Sequence, residues 1–141
     1  KKRRVYLAGV VVTGGEPTLQ SDLVLFLENL KEIGYSVKLD TNGSRPEIIK
    51  NVIKAKLVDF IAMDVKAPLD KYEEISGVKV SIENIKESIQ VILSSSIDHE
   101  FRTTFVNSIM SSEDLKDISS MLAGCRRHRV QDFISSSKVL D

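Results

Sequence analysis

The stretch Val10-Val11-Val12-Thr13-Gly14-Gly15-Glu16-Pro17 decides the fold, because an uninterrupted apolar run ends abruptly in a glycine pair. Such a run predicts a strand buried on both faces, as in parallel sheets. The glycines allow positive φ and close approach of a ligand to the backbone, while Pro17 holds Glu16 extended and starts the next helix. This loop is either a tight turn with Glu16 in solvent or an edge that contacts a ligand.

Strand and helix signals alternate along the rest of the chain. Alternating apolar and polar residues predict strands at 35–41, 58–66 and 100–106, with a short final strand at 130–134. The residues that start or stop the intervening helices are Gly34, the Ser44 and Glu47 capping box, Asp70, Gly77, Ser81, Ser111 and Gly124. The chain therefore predicts five strands in an α/β fold.

The three longer alternating strands each carry charge on one face. Strands that alternate with helices are parallel neighbours, and the helices must cover the apolar face. The charged face either meets water in a flat two-layer sheet or lines the interior of a barrel, where charges pair or hold a polar ligand. We favour an open or partial (β/α) barrel over a doubly wound sheet, with Asp40, Asp64, Lys66 and Arg102 at its ligand end.

Composition narrows the classes of protein. The 141 residues are 42% hydrophobic, which suits a single domain over residues 1–141 with an ordinary core. Twenty basic residues balance twenty acidic ones, which argues against nonspecific binding to nucleic acid or membranes. No run has the length of a membrane span or the layout of a signal peptide, so we expect a cytoplasmic protein. The basic run Lys1 to Arg4 is interpreted as a solvated terminus.

The chain has one cysteine, Cys125, and two histidines, so it cannot assemble a structural zinc site or a cysteine-ligated iron–sulfur cluster by itself. Cys125 follows a helix stop and is interpreted as a partly buried or incidental thiol. We interpret the neighbouring basic cluster, Arg126 to Arg129, as a solvated loop, with an acidic partner or a nucleotide as the alternative contact. No catalytic residue is assigned within this chain.

Three segments together resemble the radical S-adenosylmethionine (radical SAM) enzymes: Thr13 to Pro17, Leu39 to Gly43 and Ala62 to Pro68. The similarity is strongest to the activating enzymes of glycyl-radical proteins, above all the type that activates anaerobic ribonucleoside-triphosphate reductase. Tyr72 to Val78 and Glu100 to Thr104 extend the resemblance over nearly the whole chain.

The resemblance implies a partial (β/α)6 TIM-like barrel in which a 4Fe-4S cluster and an electron donor cleave S-adenosylmethionine reductively. The resulting 5′-deoxyadenosyl radical would abstract hydrogen from a glycine of the partner reductase. The three-cysteine loop of the family, of form CxxxCxxC, is absent from these 141 residues. The chain begins without Met and almost inside a strand, so we expect a fragment that lacks the first βα unit and is inactive alone.

The resemblance also implies site residues. Gly14, Gly15 and Glu16 would hold the methionyl amino group of S-adenosylmethionine. Asn42, Lys66 and Arg102 would lie near its other polar parts. The segment Gln131 to Ile134 departs from the pattern of the family, so no contact is carried over to it.

Asp40 and Asp64 form a separate prediction, because alternation places both carboxylates on one face at the ligand ends of consecutive strands. Two such carboxylates repel unless a cation or basic side chains lie between them. The resemblance suggests a monovalent cation beside the carboxylate of S-adenosylmethionine. Ordinary pairing with Lys38, Lys66 or Arg102 is the alternative.

Two other functions remain open from the sequence. One is a radical SAM enzyme that acts on a small molecule, such as a 7-carboxy-7-deazaguanine synthase, which has a similar glycine loop. The other is a noncatalytic α/β binding module with the same architecture. The segment Asp64 to Pro68 favours the activating enzymes.

Overall fold

The computed structural model describes residues 7–133, in which five strands and five α-helices alternate. The strands are Gly9–Val12 (β1), Ser36–Thr41 (β2), Phe60–Asp64 (β3), Asp98–Phe105 (β4) and His128–Asp132 (β5). The helices are Leu23–Ile33 (α1), Pro46–Lys54 (α2), Tyr72–Ser76 (α3), Ile82–Ser94 (α4) and Ser112–Met121 (α5). Short 3-10 turns cover Pro17–Leu19 and Leu69–Lys71.

The five strands form one parallel sheet whose spatial order follows the chain from β1 to β5. A doubly wound sheet reverses its strand order at a switch point, and this sheet does not. Right-handed crossovers that never reverse leave the helices on one face of the sheet. The structure therefore confirms the α/β fold of partial-barrel type.

The core lies between the sheet and the helices. Inward residues of neighbouring strands meet in register, with Leu39 beside Ile61 and Met63 beside Phe101. All four side chains are fully buried. Burying an aliphatic side chain of this size stabilises a fold by about 1.5–3 kcal/mol. The packed face holds the strands rigidly, and the opposite face carries the charged side chains that the alternation predicted.

β1 differs from its prediction. The side chain of Val11 is 54% exposed, and Val10 and Val12 are only partly buried. Burial on both faces was wrong, because β1 is an edge strand of the described sheet and pairs only with β2.

The predicted helix ends are partly right. Gly34 and Gly77 adopt the left-handed conformation at the ends of α1 and α3, and Ser81 caps α4 through the backbone N–H of Asn84. The hydroxyl of Ser111 caps α5 in the same way.

Two predicted helix starts were wrong. The Ser44 and Glu47 capping box does not form, because Pro46 begins α2 and the backbone N–H of Ser44 donates to Asn42 Oδ1 at 2.9 Å. Asp70 does not cap α3 but lies within the preceding 3-10 turn.

The final strand begins two residues earlier than predicted, at His128. Its predicted end, Ile134, and the basic run Lys1 to Arg4 lie outside the described residues. No helix in the part of the chain that the structure describes is both long and apolar enough to span a membrane.

Candidate functional site

A polar cavity of about 130 Å³ opens at the carboxyl ends of β1 to β4. Its lining residues are Thr13, Gly15, Glu16, Asp40, Thr41, Asn42, Asp64, Lys66 and Arg102. Ligands of parallel α/β sheets and barrels bind at this end of the strands. Five of the six predicted cofactor residues and both predicted carboxylates therefore meet in one place. Gly14 faces a neighbouring cavity of about 240 Å³ with Val12 and Phe26.

The glycine loop is shaped by its backbone. Gly14 has φ of +100° and Gly15 has φ of +53°, values that side chains of L-residues resist. A Cβ atom built on either glycine would meet nothing within 4 Å. The glycines are thus required by conformation rather than by crowding, and open space beside the loop leaves the backbone accessible to a ligand.

Glu16 is buried, with 8% of its surface exposed, so the interpretation that places it in solvent is wrong. Its Oε1 accepts hydrogen bonds from Thr18 N, Thr18 Oγ1 and Thr41 Oγ1 at 3.2, 2.6 and 2.7 Å. Its Oε2 accepts one from Asn42 N at 2.6 Å. A carboxylate has about four lone-pair sites, so Oε2 keeps capacity for one more donor. Glu16 therefore ties the loop after β1 to the loop after β2 while still facing the cavity.

Asn42 contributes a donor to the cavity. Its Oδ1 is occupied by Ser44 N, and its backbone N–H by Glu16. Within residues 7–133, its side-chain NH₂ group has no hydrogen-bond partner. This amide is available to an acceptor on a ligand.

Arg102 joins the two carboxylates. Its Nε donates to Asp64 Oδ1 at 2.8 Å and its Nη1 to Asp40 Oδ2 at 2.9 Å. Burial acts against the charge, but the hydrogen bonds to both aspartates outweigh it and raise the pKa of Arg102. Arg102 can reach β2 because the residue between them on β3, at the register of Asp40, is the small Ala62.

The pairing alternative for Asp40 and Asp64 is therefore the one observed, since a guanidinium lies where a monovalent cation would bridge them. Nothing in residues 7–133 supports the cation. Asp40 Oδ1 stays buried without a hydrogen bond, with Lys38 Nζ at 3.6 Å. In the described part of the chain, no group of three or more His, Cys, Asp and Glu side chains could hold a metal ion.

Lys66 supplies the free positive charge of the site. Its side chain is exposed, and no carboxylate of the described residues lies within 4.0 Å of its ammonium. It lines the polar cavity and two adjoining cavities of about 180 and 90 Å³. An anionic group entering any of the three would meet this ammonium.

A second charged network was missed by the sequence reasoning. The buried carboxylate of Glu100 lies 3.4 Å from Lys38, 3.6 Å from Arg127 and 3.9 Å from Arg129. The interpretation of Arg126 to Arg129 as a solvated loop is partly right, because Arg126 and Arg127 precede β5 and the three arginine side chains are more than half exposed. It missed that the cluster continues into β5 and that its arginines pair with Glu100 and Asp98. The register of β4 and β5 produces this contact, and no local pattern signals it.

Cys125 is half-buried and packs against the core, as predicted. It precedes β5, and the next residue, Arg126, donates its backbone N–H to His99 Nε2 at 3.4 Å near the start of β4. The thiol therefore lies at the amino ends of the strands, opposite the polar cavity.

The family profile described as the radical SAM superfamily matches residues 1–123. The chain belongs to the radical SAM superfamily. This match covers every element that forms the polar cavity, from the glycine loop to Arg102.

Two known proteins resemble the chain over most of its length. A protein of Methanocaldococcus jannaschii named as a glycyl-radical enzyme activating enzyme is 40% identical over 134 residues, which are 92% of this chain and 56% of that protein. A 7-carboxy-7-deazaguanine synthase of Koribacter versatilis is 35% identical over 104 residues, 68% of this chain and 41% of that protein. The chain thus spans about half the length of the curated relatives it matches.

The fold also resembles two solved structures. A domain of pyruvate-formate lyase-activating enzyme from Bacteroides vulgatus superposes with a TM-score of 0.73 at 21% identity, covering 93% of this chain and 83% of that one. TYW1 with a lysine-pyruvate adduct bound gives a TM-score of 0.70 at 20% identity, covering 90% of this chain and 42% of that one. At these identities the likeness concerns the fold alone.

The residues present fit one of the two groups that the superfamily implies. S-adenosylmethionine carries an amino group, a carboxylate and a sulfonium, and the cavity offers acceptors at Glu16 and Asp40 together with donors at Asn42 and Lys66. A 4Fe-4S cluster held by three cysteines does not fit, because the chain has one cysteine and it lies opposite the cavity.

Proposed function

We propose that this chain is the S-adenosylmethionine-binding core of a radical SAM enzyme that activates a glycyl-radical enzyme. One observation carries the proposal: Gly15, Glu16, Asn42, Lys66 and the Arg102 ion pairs line a single polar cavity at the carboxyl ends of the strands. S-adenosylmethionine, cleaved reductively with an electron from a donor, supplies the radical that would abstract hydrogen from a glycine of the partner.

Each residue has a proposed role in binding. The backbone of Gly14 and Gly15, with the spare lone pair of Glu16 Oε2, receives the methionyl amino group. The ammonium of Lys66, which has no carboxylate partner among the described residues, attracts the carboxylate of S-adenosylmethionine. The side-chain NH₂ group of Asn42 donates to a ligand acceptor. Arg102, fixed by Asp40 and Asp64, presents its remaining N–H groups to the cavity.

The cluster needs ligands from outside these 141 residues, because the chain has one cysteine. The chain alone is accordingly expected to bind S-adenosylmethionine without cleaving it. We place the whole enzyme in the cytoplasm, where an electron donor and the partner would meet it.

The proposed partner is an anaerobic ribonucleoside-triphosphate reductase. The motifs at Thr13 to Pro17, Leu39 to Gly43 and Ala62 to Pro68 support this subtype, and the name of the Methanocaldococcus relative supports the broader activating class. Anaerobic incubation of the cluster-loaded full-length enzyme with S-adenosylmethionine, a reductant and that reductase should produce a glycyl-radical signal in electron paramagnetic resonance. No signal with this reductase, but one with another glycyl-radical enzyme, would reassign the partner.

A radical SAM enzyme with a small-molecule substrate is the second candidate, and the similarity to 7-carboxy-7-deazaguanine synthases favours it. Both candidates share the same cofactor chemistry and differ only in the substrate. Formation of a deazaguanine product by the full-length enzyme, without a protein partner, would select this candidate.

Calorimetric titration of the chain with S-adenosylmethionine tests the binding role itself. Because a hydrogen bond to a charged group contributes about 1.5–3 kcal/mol, Lys66→Met and Asn42→Ala should each weaken binding about tenfold or more. Lys50→Met removes an exposed lysine from α2, away from the cavity, and should leave the affinity unchanged. Equal affinity of all three variants would contradict the site, and no binding by the unaltered chain would favour the noncatalytic module.

A further inference from the structure

An ion pair joins two segments, residues 69–77 and 106–121, that flank a cavity beside the site. Lys71 Nζ donates to Asp114 Oδ1 at 2.8 Å. Lys71 immediately precedes α3, and Asp114 lies in the first turn of α5. Among residues 7–133, no other hydrogen bond or ion pair connects residues 69–77 with residues 106–121. This ion pair is therefore the polar contact between the two segments within the described residues.

Asp114 is held in place by a residue near it in sequence, Ser111, independently of Lys71. Its Oδ2 accepts hydrogen bonds from the backbone N–H and the hydroxyl of Ser111, both at 2.8 Å. The residue is only 3% exposed. The hydrogen bond from Lys71, followed by those from Ser111, lowers the pKa of Asp114 to about 2. The carboxylate of Asp114 is thus a fixed negative charge at neutral pH, and Lys71 contacts it from the turn before α3.

A cavity of about 180 Å³ lies between the two segments that the ion pair joins, although neither Lys71 nor Asp114 lines it. Ile75 and Ser76 of α3 form one wall, and Val106, Ile109 and Met110, which precede α5, form the other. The floor includes Lys66 and Arg102, which also line the polar cavity. A change in the gap between the two loops would change the width of this cavity directly.

Helix α3 also contacts the backbone of Lys66 through a hydrogen bond. Tyr72, the first residue of α3, is 2% exposed, and its hydroxyl accepts a hydrogen bond from Lys66 N at 3.3 Å. Displacement of α3 would therefore shift the backbone that carries the Lys66 ammonium.

We propose that Lys71 is a positioning residue whose ion pair with Asp114 holds α3 against the turn before α5, fixing the width of this cavity and the position of Lys66. We call this ion pair the Lys71–Asp114 clasp. That S-adenosylmethionine is the ligand affected by the clasp rests on the proposed function. The existence of the clasp does not depend on that function.

Hydrogen exchange of the full chain tests the clasp. Three backbone amides report on the two walls through local hydrogen bonds: Gly77 N on Glu73 O, and Ile109 N and Met110 N on Val106 O. Because loss of one charge-assisted hydrogen bond corresponds to about a tenfold change in an equilibrium, Lys71→Met should speed exchange about tenfold at all three amides. Lys71→Arg keeps the charge and should restore protection.

Two matched variants separate the clasp from general effects on α5. Lys116→Met removes the exposed Lys116–Glu113 pair on the same helix, at 3.2 Å, and should change nothing at the three amides. Ser111→Ala removes the hydroxyl that caps α5 but keeps the backbone N–H of residue 111 on Asp114 Oδ2 and the bond from Lys71, so Gly77 should stay protected.

Binding of S-adenosylmethionine completes the test. Lys71→Met should weaken binding several-fold, and Lys71→Arg should restore it. Faster exchange in only one wall, failure of Lys71→Arg to restore protection, or unchanged affinity despite loosened walls would each overturn the positioning role. If the unaltered chain binds no S-adenosylmethionine, the proposed function fails, and the exchange rates still decide whether the clasp exists.

Discussion

Asn42 donates its backbone N–H to Oε2 of Glu16 at 2.6 Å, across 26 residues of sequence. This bond links the loops that follow β1 and β2, which supply two sides of the polar cavity. The shape of the cavity therefore depends on the buried carboxylate of Glu16, which accepts hydrogen bonds from the protein's own backbone and side chains.

Replacement of Glu16 by Gln should destabilise the fold by about 1–3 kcal/mol, because the new NH₂ group must face a donor that was bonded to a carboxylate oxygen. Urea denaturation measures the change. Glu28→Gln alters an exposed carboxylate of α1 in the same way and should cost less than about 0.5 kcal/mol. Equal stability of the two variants would contradict the bonding described for Glu16.

Ala62→Val should separate Arg102 from Asp40. The Ala62 side chain is fully buried on β3 at the register of Asp40, and the guanidinium must pass it to reach β2. Overpacking at such a position costs about 1–3 kcal/mol. Ala62→Ser adds only one atom and should be tolerated much better. Thermal unfolding distinguishes the two variants, and an Ala62→Val protein as stable as the parent would show that the path over β3 is not confined.

Gly43 and Gly14 form a matched pair for glycine substitution, since both have positive φ, +77° and +100°. A Cβ on Gly43 would overlap the side chain of buried Met63, whereas one on Gly14 would meet open space. Gly14→Ala should cost about 1–2 kcal/mol of backbone strain. Gly43→Ala should cost a further 1–3 kcal/mol or so from overpacking. Equal losses in urea denaturation would mean that Met63 moves aside freely.

His128 should make the stability depend on pH. Burial lowers its pKa below the ordinary value of 6.5. The Thr103 hydroxyl donates to Val65 O at 2.9 Å, so the neutral ring donates from Nε2 to Thr103 Oγ1 at 3.0 Å. Below pH 6.5 the unfolded chain binds a proton that the folded chain resists, so stability falls as pH decreases from there.

Chemical denaturation between pH 7.5 and about 5.5 would measure this slope. In His128→Gln, the side-chain amide can still donate to Thr103, but it has no charge to gain. The slope should therefore be reduced in the variant, and an unchanged slope would assign it to other groups.

The sequence predicted those features that depend on local patterns. Alternation identified the charged faces of β2, β3 and β4, and glycine at positive φ marked the ends of α1 and α3. The gathering of Asp40, Asp64 and Arg102 followed from alternation together with the parallel arrangement. These features are repeated over several residues, so one exception does not hide them.

Features that depend on register or on competition between neighbours were not predictable. The Ser44 and Glu47 box failed because Asn42 and Pro46 offered a better local arrangement. The compensation of Glu100 by Arg127 and Arg129 depends on how β5 aligns with β4. The bond between Lys71 and Asp114 joins positions 43 residues apart, and no local pattern relates them.

The order of the strands has a consequence for folding of the chain during its synthesis on the ribosome. Each strand from β2 to β5 lies beside the strand that precedes it in the sequence, so the described sheet can extend as synthesis proceeds. The partners of the ion pair between Asp40 and Arg102, however, are 62 residues apart in sequence. When β3 has left the ribosome and β4 has not, the nascent chain therefore carries the neighbouring carboxylates of Asp40 and Asp64 without the guanidinium of Arg102 that pairs with both. Docking of β4 relieves that repulsion, so the same step that completes the polar cavity also favours the growth of the sheet.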